Sequence, residues 1–504
     1  MSVGTRRRFP RRFRAPTVAA LFLVALALGV AGGAWLATTG SQDAVVRPQP
    51  GQKLVPAAPA EAVEEEEVFD PLAWDPEREE EYVQRAREGF AHPLYTLSPG
   101  GAARSAQRTA RWRPQIEAAA AQAGVPADTL EGMVLLESAG RSNAVAGDDG
   151  DLSVAVGLTQ ILAETGQNLL DMRIDVERSE KLSGRIERAF ARNRTRRGRE
   201  LRRERARIDE RFDPAKALAA TARYLRFARG ELGRTDLAVV SYHMGVGNLR
   251  NVLDLYGEDA VSYAQLYFEA TPRTHPETYA ELLGLGDFSS TYLWRVGAAQ
   301  DIMALWRADP QELERLQTLH DEKNSSEEVL RPESETEVFA DSEDLEDAYA
   351  SGDLLALDRD RLRAGGLRLD GDMGELAREL DRSRRLYRGL RPEALAVLVY
   401  LGTGARQISG DDPLVVTSTA RDRDYQQALL EDGNGEATRD YSLHTTGFAF
   451  DLERRYVSDR QSQALQFMLD RLQSLDVIAW VREPAAIHVT VGPRGRELLG
   501  VLGG

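Results

Sequence analysis

Pro126-Ala-Asp-Thr-Leu-Glu-Gly-Met-Val-Leu-Leu-Glu-Ser138 reads as a helix opened by proline just after a glycine, Gly124, suited to capping the helix before it. Along it Leu130, Met133, Val134 and Glu137 recur at i, i+3, i+4 and i+7 and share one face. A carboxyl therefore falls on an apolar stripe. Desolvation disfavours the charged carboxylate and keeps a proton available near neutral pH, which is what a general acid needs in order to protonate a glycosidic oxygen. The same placement also suits a glutamate at the edge of the stripe, satisfied by a neighbouring backbone group. This helix alone does not choose between the two.

Working outward, residues 111–308 read as one mainly helical domain. Pro114 sits where a first helical turn tolerates it, and Asp213-Pro214 has the form of another helix start. Within this domain lies an arginine-dense insertion, 171–211, in which Arg192, Arg194, Arg196, Arg197, Arg199, Arg202, Arg203, Arg205 and Arg207 are interleaved with glutamates at same-face spacings. A charged helical hairpin is the plain reading; binding of anionic wall polymer or phospholipid headgroups is the alternative.

Three blocks occur in order: Glu137-Ser138, then Gly157-Leu-Thr-Gln160-Ile161, then Ser241-Tyr242-His243-Met-Gly-Val-Gly247. Together with Arg211-Phe-Asp-Pro214 and Ala222-Arg-Tyr-Leu225 they resemble the Slt-type lytic transglycosylases, relatives of the goose-type lysozymes that cut peptidoglycan glycan strands. The resemblance implies a lysozyme-like fold and no cofactor for this domain. It also implies that Glu137 acts twice, first donating its proton to the bond between N-acetylmuramic acid and N-acetylglucosamine, then taking one from the muramoyl C6 hydroxyl to leave a 1,6-anhydro end. Tyr242 would position the acid or the substrate's acetamido group, and Ser138, Gln160 and His243 would contact the sugar chain. His243 stands where the family usually has asparagine, and Met244 where it has alanine. The loop Gly147-Asp-Asp-Gly-Asp151 adds carboxylates; one of them facing Glu137 could activate water and make the enzyme a hydrolysing muramidase, whereas solvated turn residues are the plain reading.

Residues 354–504 have another texture. Arg391–Tyr400 and Ser462–Leu475 read as helices, while Leu414–Ser418 and Ile487–Val491 are short and β-branched, giving an α+β domain with a small antiparallel sheet. Ser442-Leu-His444-Thr-Thr-Gly-Phe-Ala-Phe-Asp451, with Glu483 and His488 downstream, resembles the zinc D-alanyl-D-alanine carboxypeptidases. Two histidines and an aspartate can hold zinc with one position open for water. The resemblance makes His444, Asp451 and His488 the ligands, Glu483 the base, Ser442 a substrate contact, and Arg421 the fork for a terminal carboxylate. The family's Glu-x-x-His becomes Glu483-Pro-Ala-Ala-Ile-His488 here, two residues longer, so a domain that only binds stem peptides stays open.

The remaining segments concern placement. Six arginines between Arg6 and Arg14 precede an uncharged apolar run at 18–37, long enough to span a bilayer with residues 1–17 inside and the rest outside; a cleaved signal peptide is the alternative. Residues 38–110, with Glu64-Glu-Glu-Glu67, read as a flexible Pro/Ala/Glu stalk, and 309–353 as an acidic linker. The chain has no cysteine and a formal net charge of −16, which excludes disulfides and lipoprotein anchoring and argues against a nucleic-acid binder. The expectation is a single-pass protein of the cytoplasmic membrane. Its outer domains would take peptidoglycan strands and stem peptides as partners, alone or alongside cell-wall machinery proteins. A purely wall-binding scaffold is the non-enzymatic alternative.

Overall fold

The computed structural model describes residues 70–147, 151–258, 261–322, 326–432 and 441–503. It begins with α1 (Glu79–Gly89), α2 (His92–Thr96) and α3 (Ala102–Ala110). The stalk expected to reach residue 110 is therefore folded from residue 70 onward. Its acidic residues lie on the outer side of α1, while Tyr82, Arg85 and Ala86 turn inward at helical spacing and Leu94, Ala102 and Ala106 are buried. The expected basic tail, membrane anchor and stalk up to residue 69 lie outside the described residues. Among the described residues no helix is long and apolar enough to cross a membrane.

The helical half comprises α4 (Arg113–Ala123), α5 (Ala127–Ser138), α6 (Ala163–Asn168), α7 (Val176–Ala191), α8 (Thr195–Ile208), α9 (Pro214–Leu232), α10 (Thr235–Met244), α11 (Val246–Tyr256), α12 (Tyr263–Glu269), α13 (Pro276–Gly284) and α14 (Tyr292–Ala308). The decisive helix, α5, lies against α4 and α14. Every residue from Leu130 to Ser138 is buried, so it is a central helix, enclosed all round rather than on one stripe. It ends where Ala139 and Gly140 take positive φ, 52° and 72°. At Gly140 a Cβ would lie 2.5 Å from the Thr109 nitrogen, so only glycine lets the chain turn against α3. The arginine-dense insertion forms the α7–α8 hairpin around Leu182, Ile186, Ala189 and Leu201.

The acidic linker is folded too. It carries α15 (Pro310–Glu322), α16 (Ser326–Leu330) and α17 (Ser342–Ser351). His320 on α15 stacks on Tyr95 with ring centroids 4.1 Å apart, and its Nδ1 lies 2.9 Å from His92 Nδ1. Phe339, Leu345 and Ala348 bury themselves beside Tyr387 and Tyr425. Acidic residues fill the exposed faces, and widely spaced apolar residues do the packing.

The C-terminal half contains β1 (Leu355–Ala356), α18 (Arg359–Ala364), β2 (Leu367–Leu369), β3 (Gly389–Leu390), α19 (Pro392–Ser409), β4 (Leu414–Ser418), α20 (Arg423–Glu431), β5 (Ala449–Glu453), α21 (Asp459–Ser474), β6 (Ile478–Arg482) and β7 (Ala486–Val491). The main sheet has the order β2-β4-β5-β7-β6. It is antiparallel except for β2 and β4, which run parallel, so the expected antiparallel sheet is in fact mixed. β1 and β3 pair separately.

The two halves are docked through the N-terminal segment. Trp74 stacks on Phe268 at 6.0 Å, and the Arg471 guanidinium lies 4.6 Å over the same ring. Arg85 bridges Glu497 at 2.7 Å, and Arg494 bridges Glu88 at 2.6 Å. The path of α1 over α21 is close enough that a Cβ at Gly89 would lie 2.3 Å from the Gln473 carbonyl oxygen.

Candidate active sites

α5 carries two buried glutamates in different surroundings. Glu131 accepts hydrogen bonds from Arg113 at 2.8 Å and Arg307 at 2.5 Å. Glu137 has no cation bridged to it among the described residues; its Oε1 accepts a 2.6 Å hydrogen bond from the Tyr292 hydroxyl at the start of α14. Burial raises the Glu137 carboxyl to about 7, against the opposing effect of the Tyr292 hydrogen bond. An acid of this kind is half protonated at neutral pH, ready both to give and to take a proton.

Next to the end of α5 runs the loop from Gly157 to Ile161. Arg211, fully buried, holds it from beneath: its guanidinium donates to the carbonyls of Leu152 (2.8 Å), Val154 (3.1 Å) and Ile161 (3.3 Å) while pairing with buried Asp209 at 2.9 Å. A Cβ at Gly157, where φ is 87°, would lie 2.0 Å from the Arg211 carbonyl oxygen. Ser138 Oγ donates to Leu158 O at 2.7 Å, and Tyr242 Oη on α10 donates to Thr159 O at 2.7 Å. Gln160 is held at φ 50°, its Nε2 donating to Gly157 O at 2.8 Å, while its buried Oε1 has no hydrogen-bond partner.

In the C-terminal half the sheet register does the assembling. Asp451 on β5 stands directly opposite His488 on β7, which puts their side chains on one face. His444 comes from the turn Leu443–Thr446, closed by Gly447 at φ 75° just before β5. His488 Nδ1 lies 2.8 Å from Asp451 Oδ1, and His444 Nε2 lies 3.2 Å from Asp451 Oδ2. Ligand atoms of the three residues lie within 4.8 Å of one another. His444 Nδ1 is 2.9 Å from Thr419 O; a carbonyl only accepts, so Nδ1 carries the hydrogen and Nε2 turns its lone pair on the carboxylate. Two acceptors 3.2 Å apart need a cation or a proton between them. Burial, with the Arg421 charge beside it, pushes His444 down to about 4.

Burial alone would depress His488, but Glu327, Asp451 and Glu483 outweigh it and raise His488 to about 9. Despite burial, the histidines hold the Asp451 carboxyl well below the usual range. The donor set of two imidazoles and one carboxylate fits zinc.

Residues 190–263 match the family model of the Transglycosylase SLT domain. The match supports an Slt-type domain in the helical half and, with it, a lytic transglycosylase-type enzyme directed at peptidoglycan. No curated protein and no solved structure matches the chain. The matched stretch runs from the end of α7 into α12 and includes Tyr242 and His243. Glu137 and Gln160 precede it; the fold brings them to it through Tyr242 and the Arg211 clamp.

Individual residues depart from expectation in instructive ways. Tyr242 bonds Thr159 O and lies 3.2 Å from Thr221 Oγ1; the residue that grips the acid is Tyr292, which sequence reading missed. Its signal was an aromatic hydroxyl opening a long apolar helix, something a one-dimensional pattern does not connect to a residue 155 positions earlier. Ser138 is buried with its hydroxyl on Val134 O and Leu158 O, so it fastens the loop instead of facing sugar. His243 stands behind the acid's partner, with its ring 5.2 Å from that of Tyr292 and Nδ1 2.9 Å from Ser289 Oγ. Asp151 caps its own turn through Ser153 N and Oγ, both at 2.7 Å; Asp148 and Asp149 lie outside the described residues.

In the second site Arg421 points inward, donating to Ser418 Oγ at 2.5 Å and Gln426 Oε1 at 3.0 Å, with Asp451 Oδ2 3.7 Å away. Ser442 is buried, and its carbonyl accepts from Thr445 N and Oγ1. Glu483 sits in the tight turn between β6 and β7, where its N–H donates to Ala486 O at 3.0 Å. The two additional residues before His488 are absorbed by that turn, and the Glu483 charge still acts on both His488 and Arg421.

Proposed function

We propose that the helical half cleaves peptidoglycan glycan strands by lytic transglycosylation, with Glu137 as the single acid and base. The observation that carries this reading is a buried carboxyl with no bridged cation that titrates at about 7 and is held by Tyr292. Glu137 gives its proton to the glycosidic oxygen, breaking the bond to C1 of the muramoyl residue. It then removes the proton of that residue's C6 hydroxyl as the oxygen closes on C1. No water is consumed, and no second carboxylate is required.

The C-terminal half is proposed as a zinc-dependent hydrolase of stem peptides. His444, Asp451 and His488 would hold the ion. Zinc, when bound, lowers the pKa of a water ligand and polarises a carbonyl. Glu483, in the β6–β7 turn, would accept the water's proton, and Arg421, half-buried beside Asp451, would orient a terminal carboxylate. We place both sites on the outer face of the cytoplasmic membrane, tethered by the apolar run at 18–37.

Mass spectrometry of purified peptidoglycan digested by the wild type and by Glu137→Gln tests the first half. Anhydromuramoyl ends released by the wild type alone are expected. Reducing ends would replace the lyase with a hydrolase, and intact glycan that still retains the protein would leave a wall-binding module.

A further inference from the structure

Glu327 belongs to the acidic stretch between the two halves, yet it is buried, 6 % exposed, against the C-terminal site. Its segment is fastened across the end of β7. Leu330 packs where a Cβ on Gly492 would lie 3.3 Å away. The Arg331 guanidinium lies 3.4 Å over Phe448, its Nε donates to Val491 O at 2.9 Å, and Tyr441 Oη donates to Arg331 O at 2.9 Å. So held, Glu327 Oε1 accepts from Thr490 Oγ1 at 3.2 Å and lies 3.5 Å from His488 Nε2. This is the ring nitrogen opposite the one that faces Asp451.

An imidazole offers a lone pair to a metal from one nitrogen only if the other carries the hydrogen, and an acceptor placed behind the ring decides which is which. His444 has such an acceptor in Thr419 O. For His488 the groups behind the ring are the Thr490 hydroxyl, 3.4 Å from Nε2, and Glu327, to whose carboxylate that hydroxyl donates.

We propose that Glu327 is a positioning residue of the metal site: its carboxylate fixes His488 with Nδ1 toward the ion, which makes the connecting segment part of the C-terminal site. The proposal rests on the metal reading given above. It implies that the metal-binding unit begins at or before Ser326 instead of at Leu354.

The test is zinc binding by the full-length protein, measured by competition with a chromophoric chelator for wild type, Glu327→Gln, His488→Ala and Glu333→Gln, the last an exposed acid on the same segment. One zinc per wild-type chain is expected, lost in His488→Ala, unchanged in Glu333→Gln and about 10- to 100-fold weaker in Glu327→Gln. With cobalt in place of zinc, the visible band of Glu327→Gln at saturation should move from its wild-type position, which a merely loosened fold would not do. Thr490→Val, which removes the donor to the same carboxylate, reads the same link should Glu327→Gln fail to fold. A wild type that takes no zinc overturns the metal reading and this inference together. Zinc held by the wild type and equally by Glu327→Gln overturns this inference alone.

Discussion

Glu137→Gln should make the protein inactive and, above neutral pH, more stable. In the fold this carboxyl titrates at about 7, whereas its ordinary value is 4.5. The folded state thus binds the proton more tightly than the unfolded chain, and stability declines as pH rises from 4.5 through 7. At about 1.36 kcal/mol per pKa unit, the wild type forgoes roughly 3 kcal/mol by pH 8 for the sake of holding this acid. Glutamine has the same shape, carries no charge and can still accept from Tyr292, so it should recover most of that amount. At about 2 °C per kcal/mol for a unit of this size, the variant should melt about 6 °C higher at pH 8, and the two proteins should converge near pH 4.5. Scanning calorimetry across pH 4.5–8.5 measures this directly. A difference in Tm that stays constant with pH would refute the argument, because it would mean that the carboxyl is ionised without cost and is not the acid described.

Tyr292→Phe removes the hydrogen bond that favours the ionised acid, worth about 1.5–3 kcal/mol when the acceptor is charged. The alkaline limb of glycan cleavage against pH should therefore move upward by about 1 unit or more, with a lower maximal rate from the unheld carboxyl. Arg211→Met leaves Asp209 buried without its ionic partner and the carbonyls of Leu152 and Val154 without the guanidinium donor; a loss of about 3–5 kcal/mol in urea unfolding is expected. His92 and His320, held by burial at about 4 and about 3, favour the fold only while neutral. Their contribution is intact above pH 6.5 and is lost as pH falls below it, with a combined slope approaching about 2.7 kcal/mol per pH unit between pH 6 and 4. The double variant His92→Leu, His320→Phe should show a visibly shallower acid slope in equilibrium unfolding.

Much of this protein is local in origin and was legible in the chain. The Pro126–Ser138 helix, the Asp213-Pro214 helix start, the arginine-dense hairpin and strand Leu414–Ser418 follow from periodicity, capping and β-branching, which act between residues a few positions apart. So does the nomination of Glu137, since an acid on an apolar stripe is visible one turn at a time. The C-terminal trio could be proposed because its residue types are rare together. What the chain concealed was whatever depends on distant partners. Residues 70–110 read as solvated because they are rich in Pro, Ala, Gly and Glu, and 309–353 because they are acidic, but a few well-spaced side chains such as Tyr82, Leu94, Leu313 and Leu345 find buried places once the rest of the fold supplies walls. Only tertiary packing decided that Tyr292 and not Tyr242 grips the acid, that Ser138 fastens a loop, and that Glu327 stands behind His488. The reason is physical: a side chain's periodicity reports which way it faces, whereas its partner and its proton affinity are set by what the fold brings against it.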